Sequence, residues 1–93
     1  MKWNSKLDLR LIQRLVVQAR TLACQGTDPT QVAGILDDVE YLLGLSIRNE
    51  RALFLTYLDG MMLDRPEVKW ILTEYLAELR KQSGIQGALP TAD

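Results

Sequence analysis

Hydrophobic residues recur along this chain at helical spacing, in four blocks separated by short runs rich in Gly, Pro, Asp and Ser. In the first block Leu7, Leu11, Ile12, Leu15, Val16, Ala19, Leu22 and Ala23 share one broad arc at about 100° per residue, with Lys6, Arg10, Gln13 and Arg20 opposite. Ser5, with Asp8 three residues on, forms an acidic capping box, and Gly26 supplies a left-handed cap, so the pattern predicts a helix over 5–24. That arc is wider than a single surface stripe. It implies more than one neighbour for this helix, within the chain or across a dimer.

The second block opens with Asp28-Pro29-Thr30-Gln31, which reads as an N-cap, a proline at the first helical position and a Gln able to reach back to the cap. Val32, Ile35, Leu36, Val39 and Leu43 follow at i, i+3, i+4, i+7 spacing, predicting a helix over 28–44 that ends at Gly44 and turns Asp37 and Asp38 outward. A third helix is expected over 46–62, burying Phe54, Leu55, Leu58, Met61 and Met62, with Asp59-Gly60 as an alternative early end. The fourth, over 65–82, starts at Asp64-Arg65-Pro66-Glu67, turns Val68, Leu72, Tyr75, Leu76 and Leu79 inward, and stops at Gly84. The expected architecture is all-α: a small four-helix bundle or orthogonal helical array, one domain over 1–83, with a flexible C-terminal tail over 84–93.

Composition agrees with that size and class. Ninety-three residues suit one domain, and 47% apolar beside 25% charged residues is a globular balance, too apolar for a disordered chain. No apolar run approaches the roughly 18–20 residues that cross a bilayer, and the segment from Met1 shows no secretory signal, so no membrane contact is expected and a cytoplasmic location is. The lone Cys24 can neither close an intrachain disulfide nor build a structural zinc site.

The chain contains no histidine, which removes the imidazole base, the Ser-His and Cys-His pairs and the commonest transition-metal ligand. No phosphate loop, dinucleotide fingerprint or paired-cysteine motif occurs. Asp37, Asp38 and Glu40 share a helix without a cation loop, and Glu74 and Glu78, at i,i+4, read as a solvated face. The expectation is therefore no catalytic residue, no metal and no cofactor: a chain that is not an enzyme.

Charge is distributed unevenly. Residues 1–26 hold Lys2, Lys6, Arg10, Arg14 and Arg20 against Asp8, while residues 27–45 hold Asp28, Asp37, Asp38 and Glu40 with no base. The first two helices are thus charge-complementary, as befits a helical hairpin.

Trp70 and Tyr41 each fall about 160–180° from the apolar face of their own helices, where large aromatics are candidate interface anchors. Asp28-Pro29-Thr30-Gln31-Val32-Ala33-Gly34-Ile35-Leu36 is echoed 36 positions on by Asp64-Arg65-Pro66-Glu67-Val68-Lys69-Trp70-Ile71-Leu72. At that offset Gly34 corresponds to Trp70, and Tyr41 to Ala77. These four residues are the candidate protein interface, for a homodimer or another protein.

The segment Leu43-Gly44-Leu45-Ser46, followed by Arg48, Asn49 and Arg51, resembles the turn and following helix of helix-turn-helix DNA-binding proteins. The resemblance covers about 25 residues. It implies a nucleic-acid regulator using the 43–52 segment, with Arg48, Asn49 and Arg51 reading bases or phosphates. Glu50 departs from the aliphatic residue usual in such motifs, and the preceding helix is about twice the usual length. The leading expectation is a non-enzymatic helical protein–protein interaction module, an adaptor or small regulatory subunit, that self-associates; the DNA-binding regulator is the alternative.

Overall fold

A computed structural model describes residues 5–87, and these form four helices with no strand among the described residues. Helix α1 spans Ser5–Cys24, α2 Pro29–Ile47, α3 Arg51–Asp64 and α4 Lys69–Gly87, with a single 3-10 turn at Pro66–Val68 leading into α4. The expected all-α class and the four helices are present. Residues 88–93, the end of the expected tail, and Trp3 lie outside the described residues.

Each junction has a local cause. Gly26 adopts a left-handed φ of 82°, and the amides of Gly26 and Thr27 close back onto the carbonyls of Ala23 and Leu22, which satisfies the end of α1. Asp28 then accepts from the Thr30 amide at 2.9 Å, with Pro29 opening α2 as its spacing predicts.

The end of α2 departs from expectation. The helix runs through Gly44 to Ile47, and the left-handed residue that stops it is Asn49, with φ 58°. The Asn49 and Glu50 amides reach the Ser46 and Leu45 carbonyls at 3.2 and 3.0 Å, the same closure that Gly26 makes for α1. Continuing past Gly44 costs about 1 kcal/mol in helix propensity. It brings Leu45 into the core, where it is buried, and turns Ser46 toward α1. Burial of one leucine, worth about 1.5–3 kcal/mol, exceeds the cost of one helical glycine. The expected restart at Ser46 accordingly falls inside α2, and α3 begins at Arg51.

The same balance carries α3 through Gly60 to Asp64, because Met61 immediately beyond it is buried. Helix α4 likewise passes the expected stop at Gly84 and reaches Gly87. Glycine lowers helix propensity without removing a backbone donor as proline does, so it ends a helix only where a left-handed residue is needed.

The core is shared by all four helices. Leu11 and Leu15 from α1, Ile35, Leu42 and Leu45 from α2, Phe54 and Leu58 from α3, and Ile71 and Leu72 from α4 are all essentially inaccessible. Val68 of the 3-10 turn joins them. The four-residue α1–α2 connection makes an antiparallel hairpin, and α3 and α4 cover its inner face. Helix α1 has neighbours on two sides inside the chain: Asp8 meets Ser46 of α2 and Tyr75 of α4, while Arg14 meets Glu74 of α4. No described helix is long and apolar enough to cross a membrane.

Candidate functional site

Two polar clusters tie the helices together, and each is built from an aspartate that accepts from a tyrosine. Asp8, fully buried on α1, accepts from the Tyr75 hydroxyl of α4 at 2.6 Å and from Ser46 Oγ of α2 at 3.4 Å. Burial, followed by the hydrogen bond to Asp8, pushes the Tyr75 phenol well above its ordinary value; Arg51, which also reaches that hydroxyl, pulls it the other way. The cluster thus draws on α1, α2, α4 and the first residue of α3.

The second cluster lies between α2 and α3. Asp38, 7% exposed, accepts from the Tyr57 hydroxyl and from Arg65 Nε, both at 2.5 Å. Desolvation, then the hydrogen bond to Asp38, pushes Tyr57 up to about 12, and the hydrogen bond to Asp38 raises Arg65. Asp38 was expected to face outward beside Asp37. Only Asp37 does so, because Tyr57 and Arg65 give the Asp38 carboxylate partners that make burial tolerable.

Neither aspartate was anticipated as a buried acceptor. A signal existed for Asp8, which on the helical wheel falls between Leu11 and Ile12, inside the apolar arc of α1; Asp38 lies outside the expected stripe of α2 and is enclosed only because Leu42 and Leu45 are the residues that α2 buries. What the stripe could not disclose was the donors, which come from residues 67 and 19 positions away.

The four candidate interface residues occupy two separate edges. Trp70 is half exposed on α4, with the Arg14 guanidinium 5.2 Å from its ring centroid, and Arg14 Nη2 donates to Glu74 at 2.6 Å. Exposed Ala77 lies seven residues on, lining a shallow cleft of about 390 Å³ between α1 and α4 whose floor is Leu7, Leu11, Ile71 and Tyr75. Tyr41, 44% exposed, leans on Tyr57 with ring centroids 4.6 Å apart, at the mouth of a cleft of about 440 Å³ between α2 and α3 that Leu53, Gly60 and Met61 also line. Gly34 is half buried beneath the Arg65 guanidinium: an added Cβ would stand 2.6 Å from Arg65 Nη2. The recess at Gly34 is filled by the chain's own arginine.

Of the residues tied to the DNA-binding alternative, Arg48 and Asn49 lie in the turn between α2 and α3, and Arg48 Nε donates to Glu50 at 2.5 Å. Arg51 opens α3 half-buried. The turn follows Ile47, so the Leu43-Gly44-Leu45-Ser46 segment is helical. Cys24 is exposed, and no group of three metal-ligating side chains occurs among the described residues.

Comparison of the chain with protein-family models, with curated proteins and with solved structures finds no match.

Proposed function

We propose that this chain is a non-enzymatic helical interaction module, an adaptor or small regulatory subunit, that also pairs with itself as a homodimer. The observation that carries the reading is the amount of large apolar side chain left exposed on a domain whose core is already closed. Ile47 is 74% exposed, Leu63 85%, Leu9 54% and Trp70 50%. Single exposed apolar residues are ordinary on a monomer, whereas those gathered into one contiguous patch favour association. Trp70 with Ala77 on one edge, and Tyr41 with Gly34 on the other, are the residues proposed to meet a partner protein. The exposed sides of the two rings supply the apolar area and the neighbouring charges a polar rim.

Light scattering across a micromolar concentration series tests the self-pairing. A mass that rises from one chain toward two is the expected result. A single-chain mass throughout the series overturns self-association.

A further inference from the structure

The first two helices carry opposite charge, and only part of it is spent within the chain. Arg14 pairs with Glu74, Asp38 with Arg65, and Asp28 caps its own helix. Arg20 of α1 and Asp37 and Glu40 of α2 are exposed and engage no opposite charge among the described residues. Among the described residues, Arg20, Asp37 and Glu40 therefore leave part of the hairpin's charge complementarity unused.

Apolar residues lie beside those free charges. At about 100° per residue, Leu36, Leu43 and Ile47 of α2 fall within about 40° of one another, on the edge of α2 that borders α1. Leu9 and Val16 of α1 fall within about 20° of each other on the facing edge, with Arg20 within about 40° of both. Both edges point away from α3 and α4, since α1 turns Arg14 to α4 and α2 turns Asp38 and Tyr41 to α3. The outer face of the hairpin is thus an apolar band with a base on its α1 side and acids on its α2 side. Leu9 is 54%, Leu36 43% and Ile47 74% exposed.

Resting on the self-association proposed above, we infer that the occupant of this face is a second copy of the chain, set with α1 of one protomer across α2 of the other. A twofold axis parallel to the hairpin produces that arrangement, and a twofold perpendicular to it would lay α1 on α1 and α2 on α2. Charge decides between them. The first geometry brings Arg20 of each protomer toward the partner's Asp37 and Glu40, and Leu9 toward the partner's Leu43 and Ile47; the second opposes like charges along both rims. The antiparallel register supports the same pairing, because Asp8 lies opposite Ser46 within one chain, which sets Arg20 at the level of the stretch just before Asp37. Two helices about 30 Å long and about 10 Å apart offer roughly 600 Å² per protomer, near the low end for a specific interface, so a micromolar dimer is expected.

Three variants of the full chain, followed by sedimentation equilibrium with helical content checked by circular dichroism, test the inference. Ile47→Glu, at an exposed position, should leave the helices intact and raise the dimer Kd by about tenfold or more, since a twofold interface counts each substitution twice. Arg20→Glu should weaken the dimer by a similar factor, and Arg20→Glu with Asp37→Arg should restore it. A wild-type dimer indifferent to Ile47→Glu overturns the hairpin face while self-association stands. Failure of the double reversal to restore the dimer overturns the α1-on-α2 arrangement. A wild-type chain that stays monomeric overturns both this inference and the self-association on which it rests.

Discussion

The Tyr75 hydroxyl of α4 donates at 2.6 Å to the carboxylate of Asp8, sixty-seven residues earlier and one turn into α1, and both residues are buried. Removing the donor leaves a buried carboxylate short of a partner, whereas the ring of Phe would fill the same volume beside Phe54. Tyr75→Phe should therefore lower unfolding stability by about 1.5–3 kcal/mol, read by urea denaturation. A loss under about 0.5 kcal/mol would show that Ser46 and the other groups around Asp8 satisfy it without Tyr75.

Tyr57 makes the second tyrosine–aspartate contact and is pushed from 10.0 up to about 12. Its folded value lies above its unfolded one, so the folded chain holds this proton more tightly. The resulting stability is fully present below about pH 10 and lost as pH rises toward about 12. The stability difference between the native chain and Tyr57→Phe should narrow over that interval. Denaturation series at several alkaline pH values measure it, and a difference that stays constant would argue against the coupling.

Two helical glycines should respond in opposite directions to alanine. At Gly60 an added Cβ meets nothing within 4 Å, so Gly60→Ala should stabilise by about 0.5–1 kcal/mol. At Gly34 the same Cβ would crowd Arg65 Nη2 at 2.6 Å and Nη1 at 2.9 Å, and displacing the guanidinium loosens its bond to Asp38. A charge-assisted hydrogen bond worth about 1.5–3 kcal/mol then opposes a propensity gain of about 1, and Gly34→Ala should lose about 0.5–2 kcal/mol. Thermal unfolding of the two variants side by side checks the contrast.

Arg14 bridges Trp70 and Glu74 on a surface where the ion-pair side chains are 36% and 58% exposed. Solvent screens such a pair, so Arg14→Ala should cost no more than about 1 kcal/mol. With Trp3→Phe leaving Trp70 as the sole indole, the same substitution should move emission to longer wavelength as the ring loses its cover. A loss above about 2 kcal/mol would mean that the contact does more than cover one ring.

Much of the helical plan was legible because its determinants are contiguous. Asp28-Pro29 starts a helix through a bond to an amide two residues away, and Gly26 ends one through bonds to carbonyls three and five residues back. The number of helices and the start of α2 followed from spacing alone, but the apolar stripe of α2 did so only in part: Ile35 and Val39 are buried as expected, whereas Leu36 and Leu43 are exposed and Leu42 and Leu45 are buried in their place. The end of α2 was misplaced for an instructive reason. Gly44 and Asn49 are both plausible stops, and the choice belongs to Leu45 and Ser46, whose burial and hydrogen bond exist only once α1 is alongside.

The exposure of Trp70 and Tyr41 was likewise a matter of the wheel, and both are partly exposed. Their neighbours were not, since Arg14 reaches Trp70 from another helix and Tyr57 reaches Tyr41 across the α2–α3 cleft. By itself the sequence determined where backbone hydrogen bonds start and stop and which residues share a helical face, because those interactions span at most a few residues. Only the tertiary structure decided that Asp8 and Asp38 are buried while Asp37 is not, and that Arg65 fills the recess at Gly34. A buried carboxylate is stable only beside its donors, and those donors are brought to it by helices that meet far from one another along the chain.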